Sequence, residues 1–304
     1  MAERNGAGAN KPVVEEIHFR SEQVYISLVV NRRHRTARIV DFLAGNFPLK
    51  QAAIQQIAVR EGIKRVYTLV EREESTGWAR VGYAREGSIT GYYKRSDAYV
   101  MGHIVNDPPK MSQEGILLPP VPDVAKAEKA LNAAKKLREV IGPRQVRTQL
   151  MSDRDIEALR TTAKARKELA AVDDRFGRTG LRFHVTARDS RGTARAAEQV
   201  VSAEVQECFG NAYVQISSVL ATELDARVLV GALNELSEHL KGREVTSTFA
   251  FAPVSDSLVS AAMLAAGYRK TGLLAQHIVL NDQRTDAILW TRKTGAAADA
   301  ADAA

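Results

Sequence analysis

WARVGYAREGSITGYYKRSDAYVM, residues 78–101, runs from a helical turn into Gly82 and an aromatic, then through two β-rich runs, with Asp97 just before the second. A glycine at that place stops a helix, because it alone takes the left-handed backbone without strain. The phrase returns as MLAAGYRKTGLLAQHIVLNDQRTDAILW, residues 263–290, with Gly267–Tyr268 standing for Gly82–Tyr83 and Asp286 for Asp97. An acid at a strand start commonly bonds a neighbouring loop backbone, so a structural role is expected of both aspartates.

A third match lies upstream: TARIV (36–40) lines up with DARVL (225–229), placing Arg38 on Arg227. This pair and the aspartate pair share one offset (286 − 97 = 227 − 38 = 189), and the Gly-Tyr match between them differs from it by four residues. Three ordered matches with one compensated gap read as two copies of one α/β unit: strand, helix, strand, short helix, hairpin. Identity between the copies is low, so similar architecture is expected more than similar function.

The chain has 304 residues, 45% of them apolar and 26% charged, which suits two domains. Five of the nine prolines fall between Pro108 and Pro122, in a stretch without periodic pattern. The expected division is therefore a tail at 1–13, an N-terminal domain at 14–106, a Pro-rich and helical linker at 107–143, a C-terminal domain at 144–294 and a low-complexity tail at 295–304. Within the linker, DVAKAEKALNAAKKLREVIG has an apolar stripe at helical spacing and so needs something to pack against.

The opening residues lack an apolar leader core, and VYISLVV is too short to cross a bilayer, so a cytoplasmic protein without a membrane span is expected. The lone Cys208 fits a reducing compartment and reads as a small buried hydrophobe. The net charge of +7 is spread along the chain among 36 acids. Six scattered histidines, with no HExxH or CxxC, point to no metal site. Neither a phosphate-binding GxxxxGK[ST] loop nor a dinucleotide GxGxxG turn occurs.

Residues 14–30 hold two β-rich runs fit for a hairpin. A helical pattern is expected from ARIVDFLAG, broken around Asn46 to Pro48 and resumed in LKQAAIQQIAVREG up to Gly62. The stretch VVNRRHRTARIV (29–40) then reads as a strand delivering a basic burst to a helix N-terminus, where free N–H groups favour a phosphate. Past Pro143, VRTQLMSDRDIEALRTTAKARKEL reads as a strand and a helix capped by Ser152 or Asp153.

This order of elements resembles the GNAT superfamily, the acyl-CoA-dependent N-acetyltransferases, over roughly 24–104 and 145–292. The resemblance implies an α/β fold with a mixed sheet, as two tandem GNAT-like domains joined by the linker. It implies a bulged strand leading into a loop of the form [RQ]xxGx[GA], whose N–H groups hold the CoA pyrophosphate. Laid on this sequence, it makes Val30, Arg32, Arg33, Arg35, Thr36, Ala37 and Arg38 the acyl-CoA-binding set. The family's loop glycines are replaced by Arg38 and Val40, and in the second copy by Arg227 and Leu229, with Glu223 and Asp225 set to repel a phosphate. Its tyrosine acid falls on Trp78 and Met263, neither of which can protonate a thiolate.

Three functions follow. An N-acetyltransferase using acetyl-CoA in the N-terminal domain would draw its general base from Glu71 or Glu73, although each reads more plainly as a solvated strand end. A degenerate pair of domains would instead act as a binding, structural or regulatory module, which the lost glycines favour. Nucleic-acid binding ranks last, since no stacking aromatics flank RRHR. Trp78, Tyr83, Tyr92 and Tyr93 suit a core or interface better than an acceptor pocket. Exposed sheet edges point to strand pairing between the copies, or to a homo-oligomer or protein partner.

Overall fold

The computed structural model describes residues 11–43, 45–93, 96–106, 110–115, 117–119, 121–141, 146–161, 174–177, 181–189, 198–216, 220–280 and 282–294. In the N-terminal half, β1 (Val14–Arg20), β2 (Tyr25–Asn31) and β3 (Thr36–Phe42) form an antiparallel meander. Helix α1 (Phe47–Arg60) then crosses to β4 (Arg65–Val70), parallel to β3. Helix α2 (Arg72–Arg80) leads to β5 (Ala84–Ile89) and β6 (Ala98–Ile104), with β6 lying between β4 and β5.

Helix α3 (Val124–Val140) connects to the second half. There β7 (Val146–Leu150), α4 (Asp153–Thr161), β8 (Leu181–Asp189), β9 (Glu198–Gln206) and β10 (Asn211–Ile216) are followed by α5 (Glu223–Lys241), β11 (Ser247–Pro253), α6 (Ser257–Ala265), β12 (Arg269–Leu280) and β13 (Gln283–Lys293). All thirteen strands belong to one mixed sheet, ordered β1-β2-β3-β4-β6-β5-β12-β13-β11-β10-β9-β8-β7. The halves thus meet edge to edge, and each presents the same crossing: a strand, a helix, a parallel strand.

Strand β4, RVYTLV, is buried along its whole length, as a strand covered on both faces must be. Helix α5 opens with a capping box between Thr222 and Asp225 and packs its apolar stripe on the sheet. The expected cap of α4 is present too: Ser152 N–H donates to Asp155, and Asp155 N–H to the Ser152 hydroxyl. The linker stripe finds its partner in α6, where Ala127 and Ala134 join the core of the C-terminal half.

Three expectations need correction. Residues 36–42 are a strand, not the start of a helix, because TARIVDF puts β-branched Ile39 in the core and packs the aromatic Phe42 against it. The helix starts at the supposed break, where Gly45 and Asn46 take left-handed φ values of 76° and 49° and Pro48 enters the first turn. Likewise TARIV does not correspond to DARVL: Arg38 lies on a strand and Arg227 in the first turns of α5. Parallel pairing of Thr36 with Arg65 and of Asn211 with Ser247 matches Thr36 to Asn211 instead. Cys208 is exposed in the β9–β10 turn.

The tail at 295–304, most of that at 1–13, and the helical reading beyond Thr161 lie outside the described residues. Among the described residues no helix is long and apolar enough to cross a membrane.

At the junction, β5 pairs with β12 through Gly87 and Gly272. A Cβ on Gly87 would come 2.7 Å from the Gly272 Cα, so both positions need glycine. Beneath this contact Glu86 accepts from Ala275 N–H at 3.0 Å and from the fully buried Arg65, whose Nε donates to His277 Nδ1 at 3.2 Å. Tyr67, Leu69, Tyr92, Phe176, Phe249 and Leu289 form a core shared by the halves.

Candidate functional site

In both halves the parallel pair splays. Strands β3 and β4 stay in register only to Ile39–Thr68, and β10 and β11 only to Val214–Ala250. Beyond these points each half has a gap at the C-terminal ends of its strands, beside the N-terminus of a helix.

In the N-terminal half that gap is filled. Phe42 and Phe47 meet Trp78 edge to face, each at 5.4 Å between ring centroids, and the Phe47 ring lies against Gly77, where a side chain would clash. Lys50 is wholly buried under these rings, its Nζ 5.0 Å from the Phe42 centroid and 4.8 Å from that of Phe47, and donates to Gly45 O. Burial lowers its pKa against the pull of Glu74.

In the C-terminal half part of the helix start is already engaged. Asp225 accepts from Ala221 N–H at 3.0 Å and Thr222 N–H at 2.8 Å, while Asp225 N–H donates to Thr222 Oγ1. Helix α3 lies on α6 and ends against α5, where Arg227 donates to Val140 O at 3.0 Å.

The opposite face of the C-terminal splay is open. A cavity of about 640 Å³ is lined by Tyr213 and Gln215 of β10, Phe251 and Pro253 of β11, Asp256 at the start of α6, and His277 to Leu280 of β12. Its far wall comes from the N-terminal half: Val29, Asn31, Arg33, His34, Thr36, Arg38 and Tyr67, with Asp174 to Phe176 between. Arg284 of β13 holds the RRHR turn against this wall by donating to His34 O at 2.6 Å and Arg35 O at 2.8 Å.

The basic burst is thus a hairpin turn between β2 and β3, and it divides. Arg33, Thr36 and Arg38 line the cavity. Arg32 points away, donating to Pro12 O, Glu15 and Glu61 at 2.6–2.7 Å. Burial opposes ionisation of Glu61, yet hydrogen bonds from Arg32, Lys11 and Arg60 hold it at about 2. Arg35 is exposed at φ 47°, at the place where the second half has Gly210 at φ 68°. Val30 and Ala37 face each other in the β2–β3 ladder as core residues. None of the set stands at a helix N-terminus.

Glu71 and Glu73 are exposed at the start of α2, away from the cavity, and Glu71 accepts from Ser96 at 2.6 Å. Asp97 and Asp286 have matching tasks, accepting from Gly91 N–H at 2.9 Å and Gln276 N–H at 2.8 Å in their hairpins. Trp78, Tyr83 and Tyr92 are core residues.

Several cavity residues have no signal in the sequence alone. His277 sits between Tyr67 and Phe251, at 4.8 and 4.5 Å between centroids. Burial first, then Arg65, Arg284 and His34, push its pKa well down. The ring is neutral and its Nδ1 lone pair is taken by Arg65, so it is no general base. Asp174 accepts from Asn31 at 2.8 Å and stands 3.3 Å from His34 Nε2 and 3.4 Å from Arg33.

The strand, helix, strand, short helix and hairpin of the resemblance are all present, in the same order, in each half. No protein-family model and no curated relative matches the chain. Solved structures similar to it include a Vibrio cholerae spermidine N-acetyltransferase in complex with CoA and spermine, 11% identical over 49% of this chain and 96% of that one, with a TM-score of 0.38. A Vibrio cholerae spermidine/spermine N-acetyltransferase with manganese ions is 13% identical over 52% and 95%, with a TM-score of 0.35. A probable acetyltransferase from Staphylococcus epidermidis is 8% identical over 49% and 99%, with a TM-score of 0.36.

Proposed function

We propose that this chain is a tandem pair of acetyltransferase folds that has given up acyl transfer and acts as a binding module through the cavity between its halves. The observation that carries this reading is the Phe47 ring packed on Gly77 and Trp78, in the gap where a donor thioester would lie. An acyl-CoA does not fit the residues present in either half. In the first, aromatic rings and a buried lysine take up the space. In the second, Thr222 N–H and Asp225 N–H are engaged in the capping box, and Asp225 and Glu223 oppose the charge of a pyrophosphate. His277 cannot serve the cavity as a base, since Arg65 engages its Nδ1, and Glu71 and Glu73 lie elsewhere.

The outer strands β1 and β7 are the sheet edges left for a protein partner or a second copy. The test of lost acyl transfer is thermal unfolding with and without acetyl-CoA. A ligand at about 100 times its dissociation constant stabilises by roughly 2.7 kcal/mol, a shift of a few degrees. No shift is expected; a saturable one, lost in Arg35→Ala, would restore the alternative of an active N-acetyltransferase in the N-terminal domain.

A further inference from the structure

We propose that the cavity between the halves binds a small organic carboxylate with an apolar body, and that Arg38 receives its charge. The inference rests on the binding-module reading for the cavity's role, and on Arg38 for its chemistry. Arg38 is 8% exposed and lines the cavity. Its Nη1 donates to Phe176 O at 2.7 Å and its Nη2 to Tyr92 Oη at 3.3 Å, while its Nε has no partner. The guanidinium carbon lies 3.6 Å from the Phe176 ring centroid.

Among the described residues, no carboxylate pairs with Arg38. Nearby acids are committed elsewhere. Glu204 accepts from Phe176 N–H, Gly177 N–H and Arg182, at 2.6–3.1 Å, and Asp174 is held by Asn31, His34 and Arg33. A buried guanidinium held only by a carbonyl, a hydroxyl and a ring face still carries its whole charge, and that is costly to bury. An anion entering the cavity supplies the missing partner, and a carboxylate matches the planar fork.

The other walls decide the rest of the ligand. Tyr67, Tyr213, Phe251, Ile278 and the neutral His277 offer an apolar, largely aromatic slot of a size suited to a small molecule. Asp256 and Asp282 on the far side oppose a second negative charge, which favours a carboxylate over a phosphate dianion.

The test uses the full chain and follows thermal unfolding and calorimetric titration with phenylacetate, phenylacetamide and inorganic phosphate. Phenylacetate should stabilise saturably, with phenylacetamide and phosphate weaker by roughly tenfold or more. Arg38→Gln should abolish the phenylacetate response. Ile278→Trp, which fills the slot and leaves every charge in place, should abolish it as well and covers the case in which the Arg38 variant does not fold. No saturable response to phenylacetate, an equal response to the amide, or a response untouched by Ile278→Trp would overturn the proposal. Acetyl-CoA in a parallel arm separates the two readings: stabilisation by acetyl-CoA contradicts lost acyl transfer and leaves the carboxylate site standing, whereas silence from phenylacetate alone does the reverse.

Discussion

The two crossings from strand to helix, β3 to α1 and β10 to α5, occupy equivalent places in the two halves and are closed by different physics. The first is closed by volume: Phe42, Phe47 and Trp78 pack into the gap, and Lys50 spends its charge on Gly45 O and two ring faces. The second is closed by its cap and its charge: Thr222 and Asp225 take two of the N–H groups that make a helix start attractive to anions, and Glu223 and Asp225 repel an anion. Keeping an architecture therefore demands little of its former ligand site. Sheet order depends on buried strands such as β4, and those are intact in both halves.

Perturbing the contacts that hold the halves together or close each crossing should separate these contributions. The largest effect is expected at the junction they share. Glu86→Ala leaves Arg65 buried without its carboxylate, and removal of one partner from such a pair costs about 3–5 kcal/mol. Urea unfolding should show that loss, and a change within experimental error would mean that Arg65 finds another partner. Phe47→Ala should cost about 2–4 kcal/mol, since its half-buried ring packs on Trp78 and Gly77, and should destabilise the N-terminal half first by hydrogen exchange.

Next in size is a pH effect from His277. Its pKa is lowered from the ordinary 6.5 on folding, so the unfolded chain binds more protons below that pH and stability falls as pH falls. The slope from this group is at most about 1.4 kcal/mol per pH unit, with none expected above neutrality. His277→Gln should flatten the profile between pH 6.5 and 5, and an unchanged slope would assign it to other groups. Smallest is Thr222→Ala, which removes one cap at a cost of about 1 kcal/mol by the same urea measurement. It should leave acetyl-CoA without effect, because the acids of the first turn remain.

The hairpin phrase was the most legible part of the sequence. Gly82 and Gly267 both stand at positive φ, 87° and 82°, and the matched aspartates bond matched hairpin N–H groups. The strand at 36–42 is hidden in the sequence because TARIVDF satisfies a helical spacing as well as a β one, and sheet partners decide between them. The acyl-CoA set lies one element early for the same reason: Arg32, Arg33 and Arg35 sit in a hairpin turn and Arg38 on a strand, rather than at a helix start.

The cavity was illegible for a different reason. Arg38, Asp174, Tyr213 and His277 are far apart in the chain, and the packing of the halves on one another, through the β5–β12 contact and a shared core, brings them to one space. The RRHR burst was a partial signal, since so dense a charge needs acids nearby, but it names no partner among 36.

The central claim is tested most directly by hydrogen exchange of the intact protein with and without acetyl-CoA, read at the amides of 45–50 and 220–226. The account predicts no change in protection at either helix start, since one is packed and the other capped. Slowed exchange at either segment, saturating with acetyl-CoA, would show a working donor site and contradict it.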